Sequence, residues 1–235
     1  MAVKISLEEL LEAGAHFGHQ TKRWNPKMQD YLYGDENGVH IFDLTKTKPL
    51  IEEALEFLTT SAKEGKVILL LGTKKQVKDK VKEVADKAGV PFVNERWLGG
   101  TISNFEQIKR SLKKLEEMKE NMTSGGYNEF TKKERLLIER EIARLERFFG
   151  GLGAMEKVPE VLFVVDVKKE ASAVREAARK GVSVVGIVDS NSDPDLVDYV
   201  IPMNDDAAKA VEYILNKVGE AIEDGKLKHK PAKKA

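Results

Sequence analysis

The feature that most constrains the fold is a regular alternation between short apolar runs and longer amphipathic segments. The apolar runs are rich in Val and Ile and carry few polar residues. Such runs are typical of central strands in a parallel sheet that helices cover on both faces. The predicted strands occupy residues 39–43, 67–72, 91–93, 161–166, 182–189 and 199–202.

The segments between these strands have the spacing of amphipathic helices. Gly65, Gly89 and Gly181 follow three of them, at the position where a helix commonly ends on a left-handed residue. We therefore predict an α/β fold with a doubly wound, mostly parallel sheet, in the three-layer arrangement of flavodoxin-like and Rossmann-like proteins. The predicted helices lie near residues 47–64, 74–88, 169–180 and 205–218.

Residues 94–160 interrupt this alternation. Two halves with apolar residues at spacings of three and four flank the turn-rich sequence TSGGYNEF. Each half begins with a capping-box pattern, Ser103 with Glu106 and Thr131 with Glu134. These patterns predict an inserted antiparallel coiled-coil helical hairpin. Its seam would contain Phe105, Ile108, Leu112, Leu115, Met118, Met122, Ile138, Ile142, Leu145 and Phe149.

We divide the chain into an α/β domain, a hairpin and a tail. The discontinuous α/β domain covers residues 1–104, which include an N-terminal extension, and residues 150–225. The coiled-coil hairpin covers residues 105–149. Residues 226–235 are rich in Lys, and we expect them to form a basic, disordered tail.

Composition excludes several classes of protein. The chain has no Cys, which excludes disulfides and thiolate metal sites. No apolar run reaches the length of about 18 residues that a membrane span needs. The N-terminal sequence MAVKISLEELLEAG carries acids where a signal peptide has an apolar core. These observations predict a cytoplasmic protein.

The charges are balanced in number but segregated along the chain. The 39 Lys and Arg residues match 39 Asp and Glu residues, whereas a nucleic-acid-binding protein usually has a basic excess. However, residues 63–82 hold seven Lys, and residues 181–208 hold six Asp without any Lys or Arg. Segregation of this kind produces surfaces of opposite potential, or simply two solvated faces.

The sequence contains few signs of catalysis. The turn in LLLGTKKQV lacks both glycine-rich phosphate-binding patterns, although Thr73, Lys74 and Lys75 could meet a phosphate at a helix N-terminus. Asp166 and Asp189 end predicted strands, where capping is a commoner role than catalysis. We predict no catalytic residue, and a nucleotide-dependent α/β enzyme stays an alternative.

A structural metal site is a second possibility. His19, Asp189 and Asp205, together with Asp206, would meet at the carboxyl edge of the sheet if the N-terminal segment folds over it. One imidazole and several carboxylates suit zinc or a similar divalent ion. The alternative is that His19 only forms hydrogen bonds in the core.

Two aromatic–basic clusters suggest binding to nucleic acid. Trp24 lies beside Arg23 and Lys27, and Trp97 follows Arg96 directly. Such groups can stack on bases or ribose while the cation contacts a phosphate. Anchoring a loop on the core is the commoner role of the indoles, so their Arg and Lys neighbours are the stronger candidates for binding.

Several long stretches resemble the bacterial ribosomal protein S2 family of the small subunit. They are AGAHFGHQTKRWNPKM, LTKTKPL, FVNERWLGGTISNF, FTKKE, LFVVD and GIVDSNSDPDLVDYVIPMNDDA, and the resemblance extends from about residue 5 to about residue 225. The resemblance implies a parallel α/β domain with a coiled-coil hairpin. It also implies a ribosome-bound structural protein that contacts small-subunit ribosomal RNA between head and body and helps to dock ribosomal protein S1. No catalysis, required cofactor, small-molecule substrate or membrane contact is implied.

Within this resemblance, the sequence NERWLGGTISNF looks like the joint between sheet and hairpin. Trp97 would anchor the joint, Gly99 and Gly100 would allow the turn, and Ser103 would cap the first helix. A coiled-coil scaffold that binds proteins without RNA stays an alternative. The RNA-binding residues that we predict are Arg23, Trp24, Lys27, Lys74, Lys75, Arg96, Lys109, Arg110, Lys113, Lys114, Lys132 and Lys133.

Overall fold

The computed structural model describes residues 4–229, which form two β-sheets and seven α-helices. The strands are β1 Phe17–Gln20, β2 Leu32–Glu36, β3 Val39–Phe42, β4 Ile68–Leu71, β5 Phe92–Val93, β6 Val161–Val165, β7 Ser183–Val188 and β8 Tyr199–Pro202. The helices are α1 Leu7–Glu12, α2 Leu44–Lys63, α3 Lys78–Ala88, α4 Phe105–Ser124, α5 Lys132–Phe149, α6 Ala171–Arg179 and α7 Ala208–Leu227. Short 3-10 helices cover Thr21–Arg23, Pro26–Tyr31 and Gly150–Leu152.

The larger sheet is parallel and has the strand order β5-β4-β6-β7-β8. Alternate side chains of its strands enter two separate cores. Ile68 and Leu70 of β4 pack with α2, α3 and α7 on one face. Leu69 and Leu71 pack with α6 and the start of α4 on the other face. The predicted three-layer α/β architecture with a mostly parallel sheet is therefore confirmed.

The prediction for residues 39–43 was wrong in one respect. Strand β3 does not join the parallel sheet but pairs antiparallel with β1 and β2 in a separate three-stranded sheet. Asn37 and Gly38, both with positive φ, form the tight turn between β2 and β3. An Asn-Gly pair favours a two-residue hairpin because both residues tolerate left-handed backbone. The turn therefore causes β3 to pair with β2, the strand that precedes it in the sequence.

Helices α4 and α5 lie within residues 105–149 and contact each other. The turns that join them include Gly125, which adopts a positive φ after α4. Apolar residues near the sheet are buried, as shown by Phe105, Leu112 and Leu145, whereas Met118 and Ile138 are only half-buried. The pair thus packs tightly at one end only, and its description as a coiled coil stays a prediction.

The C-terminal prediction needs a partial correction. Helix α7 continues to Leu227, and the His229 ring lies 2.7 Å from the carbonyl oxygen of Lys63. Lys226 also contacts the domain, because its Nζ donates to the carbonyl oxygens of Ala88 and Gly89 at the end of α3. Residues 230–235 of the predicted tail lie outside the described residues.

Candidate nucleic-acid interface and the carboxyl edge of the sheet

The carboxyl ends of the parallel strands bring a group of acidic side chains together. Asp166 follows β6 with a positive φ of 67°, and Asp189 follows β7. Asp205 and Asp206 follow β8. Parallel strands end at the same edge of a sheet, which is where open α/β folds bind ligands. Here the N-terminal extension and one lysine occupy this edge.

The lysine is Lys74, whose ammonium group lies among these carboxylates. Its Nζ lies 2.6 Å from a carboxylate oxygen of Asp205, 2.6 Å from one of Asp206 and 3.0 Å from one of Asp166. The side chain is only 12% exposed. Burial lowers the pKa of Lys74, but the carboxylates outweigh burial and hold the pKa above its ordinary value. Lys74 therefore serves as an internal counter-ion.

Asp205 is the least favourably placed carboxylate of this group. Burial, with the nearby charges of Asp189 and Asp166, raises the pKa of Asp205 to about 8, although Lys74 acts in the opposite direction. The pKa values of Lys74 and Asp205 are both raised, and the cause is the same. This buried group contains more carboxylates than cations. The sheet edge thus attracts a further positive charge.

His19 supplies such a charge when its imidazole is protonated. Its Nδ1 lies 3.0 Å from Asp189, and its Nε2 lies 3.5 Å from Asp206. The hydrogen bond to Asp189 raises the pKa of His19, while partial burial opposes this change. His19 also anchors β1, because its backbone N–H donates to the hydroxyl of Ser190 at 2.8 Å.

The predicted metal ligands His19, Asp189 and Asp205 do lie at one edge, but the geometry there is not that of a metal site. Within residues 4–229, no group of three or more His, Cys, Asp or Glu side chains is arranged to hold a metal ion. The Nζ of Lys74 contacts Asp205, and the imidazole of His19 contacts Asp189, so the predicted ligands already have partners within the protein. The repulsion among the aspartates is relieved by an ammonium group.

Lys27 also has internal partners, although its side chain is 47% exposed. Its Nζ lies 3.0 Å from Asp193 and also contacts Asp195. The neighbouring Trp24 is half-buried, and its ring lies 4.9 Å from that of His40. Lys27 thus ties the N-terminal extension to the loop after β7 and has less charge to offer to RNA than the sequence suggested.

Glu176 of α6 organises the sequence NERWLGGTISNF. Its carboxylate accepts hydrogen bonds from Trp97 Nε1 at 3.0 Å and from the backbone N–H groups of Gly100, Ile102 and Ser103. It also accepts the Ser103 hydroxyl at 2.8 Å. Burial opposes ionisation of Glu176, but these donors outweigh it and lower the pKa. The loop is therefore held by one carboxylate from another element.

This arrangement confirms part of the prediction for the loop and corrects another part. Trp97 is 7% exposed, so it anchors the joint and does not face a partner. Ser103 does not cap α4, because its hydroxyl is taken by Glu176 and no side chain caps that helix. The capping box of Thr131 and Glu134 is present at the start of α5. Sequence analysis missed Glu176, since nothing near it in the chain indicates its partner.

The remaining predicted cations are exposed, most of them on α4, on α5 and on the loop before α4, with Arg23 in the N-terminal segment and Lys75 in the loop after β4. Lys113 and Lys114 have glutamate neighbours at 3.6 Å and 3.4 Å. The others are exposed and form no ion pair with any residue between 4 and 229. This second group consists of Arg23, Lys75, Arg96, Lys109, Arg110, Lys132 and Lys133.

Together these features define a three-layer α/β protein that neutralises the charges of its sheet edge internally and leaves unpaired cations on a helix pair. The family described as Ribosomal protein S2 matches residues 10–225. The chain is also 46% identical, over 226 residues, to the small ribosomal subunit protein uS2 of Coprothermobacter proteolyticus. That alignment covers 96% of this chain and 84% of the relative.

The chain therefore belongs to the ribosomal protein S2 family, as its motifs suggested. This is a family of ribosomal proteins and not a class of enzymes. In the part of the chain between residues 4 and 229, no helix has the length and apolar character to cross a bilayer.

Proposed function

We propose that this chain is a structural component of the small ribosomal subunit that binds ribosomal RNA through exposed cations, most of which lie on α4, on α5 and on the loop before α4. Family membership supports the ribosomal role. The contact with RNA is supported mainly by the contrast between buried and exposed cations. Lys74 is enclosed by carboxylates, whereas Lys109, Arg110, Lys132 and Lys133 have no acidic partner among the described residues.

Cations that have no partner in the protein bind phosphate most favourably. Each phosphate that a Lys or Arg neutralises releases counter-ions, and this release drives most of the affinity for nucleic acid. An exposed, unpaired cation gives this gain in full, whereas a paired lysine must first break its ion pair. The RNA-binding set that we propose therefore consists of exposed cations that are unpaired among the described residues, namely Arg23, Lys75, Arg96, Lys109, Arg110, Lys132 and Lys133. Lys113 and Lys114 are added because their glutamate contacts, at 3.6 Å and 3.4 Å, are long and lie in solvent. Lys27 and Lys74 stabilise the domain instead.

The finer parts of the proposal come from the family resemblance. They are attachment at the junction of head and body, help in docking ribosomal protein S1, and location on ribosomes in the cytoplasm. The division into an α/β domain and a hairpin over residues 105–149 belongs to the same proposal.

A protein partner is favoured by one further observation. Phe130, Leu136 and Leu137 are exposed at the far end of the helix pair, and Leu137 is 55% exposed. Apolar side chains grouped on a charged helix commonly mark a contact with another protein. A neighbouring ribosomal protein at this end is compatible with RNA along the cationic faces.

Sedimentation of cell lysate tests the ribosomal role. The tagged chain should migrate with small subunits in a sucrose gradient and remain there at moderate salt. A chain that stays at the top of the gradient, while other small-subunit proteins sediment normally, would contradict the proposal.

A further inference from the structure

A groove runs between the loop that follows β5 and the sheet-proximal ends of α4 and α5. It has a volume of about 540 Å3, within the range of about 300–1,000 Å3 that small-ligand sites usually have. Its floor is apolar and is formed by Leu98, Leu145, Phe148 and Phe149. Leu145 is buried, and the two aromatic side chains that line the groove are half-buried.

The rim of the groove is positively charged. Arg96, Lys114 and Arg144 line it together with a single carboxylate, Glu141. Two nitrogen atoms of Arg144 lie 2.9 Å from Glu141, and Lys114 lies 3.4 Å from the same residue. Arg96 is exposed and has no ion pair within residues 4–229. Three cations against one carboxylate leave an excess of positive charge at the rim.

One wall of the groove is rigid. Arg96 directly precedes Trp97, which is buried and donates to Glu176 at 3.0 Å. The same carboxylate accepts backbone N–H groups of Gly100 and Ile102. A cation on a fixed loop loses less conformational entropy on binding than a cation on a mobile one.

We propose that this groove binds one unstacked nucleotide of RNA, with the base on the aromatic floor and the phosphate at Arg96. The proposal rests on the proposed function, since it specifies how the RNA is bound at one point. Single-stranded RNA is commonly recognised when a base leaves its stack and packs on an aromatic ring or a guanidinium group. The apolar floor offers the first of these contacts, and the charged rim binds the phosphate.

The amide of Gln107 also lines the groove. An amide presents both a donor and an acceptor, so it can pair with the edge of any base. The site should therefore tolerate different bases and depend mainly on whether a base is present. An acidic peptide would use the same cationic rim but would not need the base.

The test uses the full chain and two short RNAs, a pentauridylate and the same pentamer with an abasic central nucleotide. Stacking predicts that the parent binds the intact pentamer about tenfold more tightly than the abasic one. The Phe148→Leu variant should lose most of this preference, and Phe148→Tyr should retain it. Phe130→Leu, at the far end of the helix pair, is the matched control and should behave like the parent.

The Arg96→Gln variant tests the phosphate contact. It should weaken both pentamers and flatten the dependence of affinity on salt by about one unit, whereas Arg140→Gln, which also removes an exposed cation, should leave pentamer binding unchanged. Thermal melts of each variant confirm that the fold is intact.

Four outcomes overturn the groove proposal. The first is equal affinity of the parent for the two pentamers. The second and third are equal effects on pentamer binding of Phe148→Leu and Phe130→Leu, or of Arg96→Gln and Arg140→Gln. The fourth is tighter binding of a pentaglutamate peptide than of the intact pentamer. In each case, retained binding of the parent to full-length small-subunit ribosomal RNA shows that the proposed function survives. Loss of that binding as well would overturn both.

Discussion

Lys74 and Lys132 illustrate two different uses of the same side chain. Lys74 lies at the carboxyl edge of the sheet with three carboxylates within 3.0 Å of its Nζ. Lys132 begins α5, is exposed and has no ion pair within residues 4–229. A buried charge without a partner is very unfavourable, so the protein supplies partners at the edge. At the surface, water solvates the charge until a phosphate of the nucleic acid binds there.

Counts of charge along the sequence do not show which charges are available to a partner. The aspartates of residues 181–208 looked like an acidic face. In the structure they receive Lys27, Lys74 and His19 from other parts of the chain. In the lysine-rich segment of residues 63–82, Lys74 is likewise largely buried and paired with carboxylates of the domain. What remains for RNA lies largely on α4 and α5.

The largest effect that we expect concerns the sheet edge. Replacing Lys74 with Met leaves Asp166 and Asp205 together in a buried place without their cation, which should destabilise the fold by about 3–5 kcal/mol. Urea denaturation measures this change. Lys75→Met is the matched control, because Lys75 is exposed and unpaired among the described residues, and its effect should stay within about 0.5 kcal/mol. Similar losses of stability in the two variants would contradict the different roles of Lys74 and Lys75.

A smaller effect should follow from Glu176→Gln at the joint. The amide can still accept some hydrogen bonds but loses the charge that strengthens them, so we expect a loss of about 2 kcal/mol. The lowered pKa of Glu176 means that its contribution is present above the unfolded value of about 4.3 and disappears as the pH falls through the folded value.

Denaturation of the parent and of Glu176→Gln across this acidic range should therefore converge at low pH. Glu139→Gln, on the exposed face of α5, serves as a control with little effect at any pH. A constant difference between parent and Glu176→Gln would show that the carboxylate charge is not what holds the loop.

The sheet edge should also respond to mildly alkaline conditions. The pKa of His19 is raised, so its contribution is full below the unfolded value of about 6.5 and is lost as the pH rises through the folded value. Asp205, with its pKa raised to about 8, acts in the same direction. We expect the parent to lose about 1–2 kcal/mol between pH 6.5 and pH 8, since a group that binds one more proton in the folded than in the unfolded state lowers the stability by about 1.4 kcal/mol for each unit of pH.

Calorimetric melts of parent, His19→Gln and Asp205→Asn over this pH range measure the effect. Each variant should show a flatter profile than the parent. Identical slopes in all three proteins would mean that neither group titrates in this window. Addition of a chelator should leave every melt unchanged, because Lys74 and not a metal neutralises the edge.

The smallest effect should appear at the far end of the helix pair. Ile138 is half-buried, so Ile138→Ala should cost only about 1 kcal/mol, whereas Leu145→Ala near the sheet should cost about 2–4 kcal/mol. Hydrogen exchange should increase mainly between residues 116 and 138 in the first variant. Exchange that increases throughout the sheet in the Ile138→Ala variant would show that the pair does not open on its own.

Much of the fold could be predicted because its signals are local. Runs of Val and Ile defined the parallel strands, and spacings of three and four located α4 and α5. The separate antiparallel sheet was missed although Asn37 and Gly38 carry a local turn signal. Its strands are short and half-exposed, so they lack the continuous apolar pattern of a core strand.

The candidate site was harder to predict because its partners are distant in sequence. Glu176 holds a loop more than 70 residues earlier in the chain, and Lys74 meets Asp205 across 131 residues. Sequence patterns placed Asp189 and Asp205 at one edge correctly, since strand ends meet there. They could not show that a lysine would reach the same place, because only tertiary packing decides where a long side chain ends.

We expect RNA to contact the cations of α4 and α5 that are unpaired among the described residues, and not the positive charge of the domain in general. The direct measurement is the salt dependence of binding to small-subunit ribosomal RNA for two variants that each lose four cations. The first replaces Lys109, Arg110, Lys132 and Lys133 with Gln. The second replaces Lys82, Arg179, Lys180 and Lys209, which are equally exposed and unpaired among the described residues but lie on α3, α6 and α7 or at their ends.

We predict that the first variant binds more weakly and that its logarithmic salt slope falls by about three units, at roughly 0.7–0.9 for each lost phosphate contact. The second variant should keep the affinity and the slope of the parent. Equal losses of slope in the two variants, or an unchanged slope in the first, would contradict the account.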